Sequence, residues 1–197
     1  MNPLTTPTIR FVCESDAAEL AALYAPYIPT PVTFEYEAPG SEEFAARIRE
    51  FSSSFPFLVA QSGGEIIGYA YAHRYQERAA YQWSAELSVY VKEGHKRQGI
   101  GSVLYRCMFE LLKLQRYQTL YARVSTSNPV SVLMHESLGF VQAGVTHDTG
   151  YKGGVWHGVH TLEKSIGGHE TPPLPILSIH ELDPQAVRQV LEAHAQA

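Results

Sequence analysis

The sequence predicts an α/β fold in which a central β-sheet is flanked by helices and followed by a short C-terminal helical extension. Residues 81–91, YQWSAELSVYV, alternate between apolar and polar side chains, which predicts a strand. Residues 92–101 form a basic turn that contains glycines. The apolar side chains that follow it recur at helical spacing: Ile100, Leu104, Met108, Leu111 and Leu112. We therefore expect a strand, a tight turn and a helix start to meet at one point.

Composition favours one domain with an appendage. The chain has 197 residues, of which 45% are hydrophobic, enough for a full core. We expect a domain over residues 1–166 and a Pro/Gly-rich linker with a helix over residues 167–197. The net charge of -5 argues against nucleic acid as a partner, and no apolar run approaches membrane length. Cys13 and Cys107 have no paired spacing, which argues against a disulfide framework or a zinc site and fits a reducing, cytoplasmic setting.

The first elements are predicted from short local patterns. Residues 8–13 are typical of a strand, and Asp16 with Glu19 predicts a capping box for the helix that follows. Residues 29–39 form a link rich in proline, and a second helix from Ser41 is expected to bury Phe44, Ile48 and Phe51. Residues 57–61 and 66–73 predict a hairpin around a Ser-Gly-Gly-Glu turn.

The remaining elements follow the long helix. Residues 119–124 predict a strand, and Asn128 followed by Pro129 predicts a helix N-terminus, with Gly139 as the terminator of that helix. Residues 140–145 and 154–162 predict a final strand pair. Near the end of the chain, Asp183 and Pro184 cap a helix with an apolar stripe. That stripe must pack either on its own domain or on a partner subunit.

The turn before the long helix has the properties of an anion site. A helix start carries unpaired N–H groups and partial positive charge, and Gly99 and Gly101 allow a ligand to approach this backbone. The basic neighbours His95, Lys96 and Arg97 add to the attraction for a pyrophosphate. Neither the P-loop pattern nor the dinucleotide fingerprint is present. The alternative is an ordinary strand-to-helix turn with solvated charges.

Two motifs together resemble those of a known family. Residues 96–101, KRQGIG, resemble the acyl-CoA signature (Q/R)xxGx(G/A) of the GNAT N-acetyltransferases, with Lys96 a departure at the first position. Residues 128–131, NPVS, and 135–140, HESLGF, are similar to the second signature of that family. The resemblance covers about residues 9–164. It implies a GNAT fold with a mixed central sheet, acetyl-CoA as the co-substrate and a homodimer.

The resemblance also implies which residues hold acetyl-CoA. Backbone amides of the turn would bind its pyrophosphate, and the end of the central strand would lie alongside the pantetheine arm. One N–H of that strand could stabilise an oxyanion. The expected binding residues are Val89, Tyr90, Val91, Arg97, Gln98, Gly99, Ile100, Gly101, Ser102 and Asn128.

The expected chemistry needs a base, because an amine acceptor is largely ammonium at neutral pH. Glu86, on the polar face of the central strand, is the leading candidate. The alternative is a carboxylate that is paired with Arg78 or faces solvent. His135 stands where many GNAT enzymes have a tyrosine near the CoA sulfur, so it could assist proton transfer or departure of the thiolate. It could equally be a core histidine bonded to backbone.

Three segments resemble one branch of the family, the phosphinothricin and methionine sulfoximine acetyltransferases: SAELSVYV, MHESLGF and YKGGVWHGV. This resemblance implies direct transfer, in a ternary complex, to the α-amino group of a small amino-acid analogue. The expected acceptor site contains Phe34, Arg78, Glu86 and Ser88, and no metal. Arg78 matches a loop arginine of the branch, whereas Gln76 replaces a basic residue of some members. A loop arginine can also be a solvated charge.

Two other functions remain open. One is a GNAT enzyme with a different acceptor, a polyamine or a protein N-terminus. The other is an acyl-CoA-binding regulatory module without turnover, which would bind CoA tightly and release no thiol in the presence of amines.

Overall fold

The computed structural model describes residues 7–194, in which helices cover both faces of one mixed β-sheet. The strands are Thr8–Phe11 (β1), Phe57–Ser62 (β2), Glu65–Arg74 (β3), Ser84–Val91 (β4), Thr119–Ser125 (β5), Val141–Lys152 (β6) and Val155–Ser165 (β7). Their spatial order in the sheet is β1-β2-β3-β4-β5-β7-β6. The helices are Ala17–Tyr24 (α1), Ser41–Ser52 (α2), Ile100–Leu114 (α3), Pro129–Ser137 (α4) and Pro184–His194 (α5). The predicted α/β class, a mixed central sheet flanked by helices, is confirmed.

The sheet opens in its middle. Strands β1 to β4 pair antiparallel, and β5 pairs antiparallel with β7. Between these two halves, β4 and β5 are parallel and pair at only three positions, from Ser84 opposite Thr119 to Glu86 opposite Tyr121. Beyond Glu86 the two strands separate. The backbone of β4 that faces this gap is therefore free of ladder partners.

Helix α3 packs on one face of the sheet. Its predicted apolar stripe is confirmed, since Leu104, Met108, Leu111 and Leu112 are fully buried. Ala85 and Leu87 of β4 belong to the same core. This packing places the start of α3 beside the end of β4.

The opposite face of β4 was expected to be polar, and this expectation is wrong. Helices α1 and α2 cover that face, and the ring of Tyr90 packs edge-on against Tyr24 and Tyr27, with centroids 4.8 and 5.1 Å apart. The strand also begins later than expected. Tyr81 ends a 3-10 turn, and Trp83 Nε1 donates a hydrogen bond to Leu174 O at 2.8 Å.

The predicted capping box of Asp16 and Glu19 is also wrong. A 3-10 turn at Glu14–Asp16 precedes α1, so the Asp16 carboxylate points back and accepts hydrogen bonds from the Cys13 N–H and from Arg10. The Glu19 carboxylate does not cap the helix but accepts a hydrogen bond from the Ile66 N–H of β3 at 2.6 Å. Asp16 therefore ties the end of β1 to α1.

The last hairpin is longer than the sequence indicated. Strand β6 was expected to end at Val145 but runs to Lys152, with an irregularity between Thr146 and Gly150. Asp148 in that stretch has a positive φ of 50°, which is typical of a turn. Pairing with β7 nevertheless resumes at Gly150. The extension carries Lys152 to the link between α1 and α2.

The C-terminal extension packs on its own domain, which decides between the two alternatives. Val190 of α5 is buried in the same core as α3, and His194 Nε2 lies 2.8 Å from the Glu110 carboxylate. The buried side chain of Gln115 donates to Ser54 O and Leu177 O at 2.7 and 2.8 Å. Residues 1–6 of the predicted first domain and residues 195–197 of the predicted extension lie outside the described residues.

Candidate active site

A groove of about 620 Å³ lies at the N-terminus of α3, between the preceding loop, α4 and the end of β4. It brings together all the predicted cofactor-binding residues except two: Val89, Val91, Arg97, Gly99, Ile100, Gly101, Ser102 and Asn128. Tyr90 and Gln98 do not line it. The Tyr90 ring lies in the aromatic cluster described above, and Gln98 Nε2 donates to Gly94 O at 2.9 Å.

The floor of the groove is a helix start with free main-chain donors. Gly99 is the N-cap residue of α3, with a φ of 84°, and no side chain caps the helix. The N–H groups of Ile100, Gly101 and Ser102 belong to the first turn, where an α-helix supplies no acceptors. A Cβ built on Gly99 would meet nothing within 4 Å, so this position is open. The geometry suits a phosphate group.

Gly101 has a different role from the one expected of it. A Cβ at Gly101 would lie 3.2 Å from Met134 Sδ and 3.7 Å from side-chain carbons of Val89 and Val91. Gly101 therefore permits close packing between α3, α4 and β4. Open space in the groove lies instead beside Gly99.

The end of β4 presents its backbone to the gap. The Lys92 N–H donates to Ile67 O of β3 at 2.9 Å. Because the backbone groups of successive residues point to opposite sides of a strand, the N–H and C=O groups of Val89 and Val91 point away from β3. The Tyr27 hydroxyl donates to Val91 O and accepts from the Val91 N–H at 3.2 Å. Because the Tyr27 hydroxyl binds both the C=O and the N–H of Val91, the free backbone groups in this part of the gap are those of Val89. Tyr27 was not predicted as a site residue.

Glu86 is buried at the point where β4 and β5 begin to separate. Only 5% of the residue is exposed, and Arg123 Nε donates to its Oε1 at 2.8 Å. Both alternative environments for this carboxylate, a pair with Arg78 and a solvent-exposed position, are wrong. The other oxygen, Oε2, is buried and has no hydrogen-bond partner among the described residues. A buried carboxylate oxygen without a donor has capacity for a proton or a water.

Arg123 was missed because nothing in its local sequence marks it. It lies two residues after Tyr121, the residue that faces Glu86 across the parallel pair. This diagonal contact depends on strand register, which the local sequence of β5 does not reveal. Arg123 also lines a narrow cavity of about 70 Å³ in the gap, together with Ser88, Asn128 and His135.

His135 is buried and has partners at both ring nitrogens. Nδ1 lies 2.7 Å from the Ser131 carbonyl, which can only accept, so Nδ1 donates there. Nε2 lies 3.2 Å from the Tyr105 hydroxyl. Burial lowers the pKa of His135. These contacts favour the interpretation of a core histidine bonded to backbone, which fixes the wall of the cavity.

The predicted acceptor residue Phe34 lies under the long hairpin. A Cβ on Gly150 would come within 2.3 Å of the Phe34 ring, and the His157 ring lies 6.2 Å from it. Lys152 Nζ donates to Thr33 O and Glu35 O, each at 2.6 Å, and is itself buried. Burial lowers the pKa of Lys152. Lys152 thus holds the backbone on both sides of Phe34, a role that the local sequence did not indicate.

Arg78 is exposed at the start of the 3-10 turn Ala79–Tyr81. Residues 7–194 contain no group of three His, Cys, Asp or Glu side chains that could hold a metal ion. Within the same range, no helix is long and apolar enough to cross a membrane.

Comparison with known proteins agrees with this architecture. The sequence profile described as "Acetyltransferase (GNAT) domain" matches residues 9–160, more than half of the chain. The chain therefore belongs to the GNAT family of acetyltransferases, and the predicted enzyme class is confirmed.

Curated relatives with related names come from several bacteria. A phosphinothricin N-acetyltransferase of Streptomyces viridochromogenes is 32% identical over 92% of this chain and 100% of its own length. An L-methionine sulfoximine/L-methionine sulfone acetyltransferase of Pseudomonas aeruginosa is 30% identical over 66% of this chain and 74% of its own. Among solved structures, a GNAT phosphinothricin acetyltransferase of Sinorhizobium meliloti in complex with AcCoA is 27% identical, with a TM-score of 0.81, covering 91% of this chain and 96% of that one. The predicted branch of the family is confirmed.

Proposed function

We propose that the protein transfers an acetyl group from acetyl-CoA to the α-amino group of a small amino-acid analogue, of the phosphinothricin, methionine sulfoximine or methionine sulfone type. The names of the curated relatives support this substrate class. The observation that carries the proposal is the buried carboxylate of Glu86, with one oxygen held by Arg123 and the other unpartnered, at the apex of the gap between β4 and β5.

The groove at α3 fits acetyl-CoA, which supplies an activated thioester. First-turn amides of Ile100, Gly101 and Ser102 would hold the pyrophosphate, and Gly99 leaves room above them. The basic side chains of Lys96 and Arg97 also line the groove and add positive charge. Val89 would donate its N–H to the thioester carbonyl oxygen, on which negative charge develops during attack.

Glu86 takes the proton from the acceptor ammonium, directly or through a water. The atom with free capacity is Oε2, since Oε1 is engaged by Arg123. The deprotonated amine then attacks the thioester carbon, and the C–S bond breaks as the tetrahedral intermediate collapses to the amide. The second proton lost by the nitrogen protonates the departing CoA thiolate, and the proton on Glu86 passes to solvent. Ser88, next on the same face of β4, and Phe34, held by Lys152, would complete the acceptor site.

The cysteines support direct transfer in a ternary complex. Burial raises the pKa of the Cys107 thiol to about 12, so it is a poor nucleophile at neutral pH. Cys13 is exposed at the end of β1, where its Sγ contacts Ser15 and Asp16. Both thiols are free, which also supports the proposal of a cytoplasmic setting.

A homodimer is part of the proposal. The hairpin of β6 and β7 exposes large apolar side chains that a second copy could cover: Val141, Tyr151, Val155 and Trp156. Sedimentation analysis should give twice the monomer mass, and a monomer at all concentrations would contradict this part of the proposal.

A free-thiol assay with acetyl-CoA tests the function. We expect thiol release with phosphinothricin, methionine sulfoximine or methionine sulfone, and little with spermidine or a peptide N-terminus. Release with only the last two acceptors would replace the proposed substrate. Tight acetyl-CoA binding without release from any amine would instead indicate a regulatory module.

A further inference from the structure

Arg123 is only partly engaged by its ion pair. Its Nε donates to Glu86 Oε1, yet 59% of the side chain is exposed. A guanidinium has five N–H donors, and no other group in residues 7–194 accepts a hydrogen bond from Arg123. The edge formed by Nη1 and Nη2 is therefore free for a second planar anion.

Arg123 lies at the gap where the proposed acceptor must enter. Arg123 and Ser125 of β5 line the narrow cavity across from Ser88 and Tyr90 of β4. Residues 119–125 and 84–91 reach this cavity from the two separating strands, so a ligand there touches both. Arg123 is the side chain with free cationic donors in its lining.

We propose that Arg123 binds the carboxylate of the acceptor and thereby selects α-amino acids over simple amines. This inference rests on the proposed function. In an α-amino acid one carbon separates the carboxylate from the ammonium, so the molecule is a short zwitterion. Its carboxylate pairs with the Nη edge of Arg123, and its ammonium faces the carboxylate of Glu86. The Glu86–Arg123 pair is thus complementary in charge to the substrate.

The other arginine expected at the acceptor site has a less suitable position. Arg78 is exposed in the loop before β4. Arg74 lies 3.8 Å from the Glu77 carboxylate, and Arg47 is paired with Glu35 and Glu43. Lys152 is occupied by two backbone carbonyls. Arg123 combines a free donor edge with contact to the proposed base.

The test compares two acceptors that differ only in the carboxylate: methionine sulfone and 3-(methylsulfonyl)propan-1-amine. For Arg123→Gln we expect kcat/KM to fall about 10- to 100-fold more with the amino acid than with the amine, mainly through KM, as loss of charge-assisted hydrogen bonds predicts. Arg188→Gln, on the exposed surface of α5, is the matched control and should change neither value.

Each other outcome overturns the inference. An equal loss with both acceptors would mean that Arg123 acts only by holding Glu86. A carboxylate-specific loss in Arg78→Gln, with none in Arg123→Gln, would assign the role to Arg78. No thiol release from the wild-type enzyme with either acceptor, nor with phosphinothricin or methionine sulfoximine, would overturn the proposed function as well, which distinguishes the two failures.

Folding of the variants is checked by thermal denaturation. If Arg123→Gln does not fold, Arg123→Lys keeps the charge and loses the planar fork. Arg123→Lys should then show a smaller loss of kcat/KM, again only with methionine sulfone as the acceptor. A loss of the same size with both acceptors would overturn the inference in this variant too.

Discussion

Arg123 Nε and Glu86 Oε1 are 2.8 Å apart and join β5 to β4 just beyond the last position where these parallel strands pair, Glu86 opposite Tyr121. The contact orients the carboxylate and leaves Oε2 without a partner in the described part of the chain. Because the strands separate immediately beyond this pair, the carboxylate lies where the sheet opens. This relationship links the fold to the proposed chemistry.

Glu86→Gln should lower kcat about 10²- to 10⁴-fold at neutral pH, the range expected for loss of a general base. Acetyl-CoA affinity should stay within about twofold, since Glu86 lies outside the groove at α3. Thiol release and calorimetric titration measure the two effects. Glu192→Gln, on the exposed side of α5, is the control. Unchanged turnover in Glu86→Gln would remove Glu86 from the mechanism.

Gly99→Val should weaken acetyl-CoA binding at least about tenfold, because a branched side chain would project into the open space of the groove next to the first turn of α3. Gly64→Val is a matched control, since Gly64 has a φ of 86° and equally open surroundings but lies in the β2–β3 turn. Both variants carry about 1–2 kcal/mol of backbone strain. Calorimetric titration should show weaker acetyl-CoA binding by Gly99→Val than by Gly64→Val. Equal affinities of the two variants would mean that the pyrophosphate binds elsewhere.

Lys152→Met should raise KM for the amine acceptor while leaving acetyl-CoA affinity unchanged. The variant removes the donor to Thr33 O and Glu35 O, which frees the segment around Phe34. Loss of hydrogen bonds from a buried charged group should also reduce stability by about 1–3 kcal/mol. Steady-state kinetics and urea unfolding measure these effects, with Lys113→Met on exposed α3 surface as the control. A KM equal to that of the wild type would contradict the proposed role.

Asp16 should make stability depend on pH in the acid range. Burial by itself raises the pKa of Asp16, but hydrogen bonds from Arg10 and Cys13 outweigh it and lower the pKa to about 2. A carboxyl with a lower pKa when folded stabilises the protein above its unfolded pKa, near 4, and loses this contribution as the pH falls toward 2. We expect about 1–2 kcal/mol, reduced by the partial exposure of Arg10.

Urea unfolding of Asp16→Asn and the wild type tests this prediction. The difference in unfolding free energy should be largest above pH 5 and should shrink steadily between pH 4 and pH 2. A difference that is constant across this range would show that the ion pair with Arg10 does not control the pKa of Asp16.

Much of the fold follows from patterns within one element. The helical spacing from Ile100 to Leu112 predicts the buried face of α3, and Asn128 accepts from the Ser131 N–H as an N-cap should. Gly139 ends α4 with a φ of 84°. Such signals depend on backbone geometry over a few residues, so the local sequence determines them.

The sequence by itself determined where the helix start of the proposed anion site forms, because a helix start and its glycine are local features of Gly99–Ser102. Only the tertiary structure decided the partners of the site residues. Glu86 with Arg123, Tyr27 with Val91, and Lys152 with Thr33 join residues far apart in the chain. These contacts arise from strand register and from the packing of helices on the sheet. A change of register by one residue would turn the side chains of Glu86, Arg123 and Lys152 to the other face of the sheet.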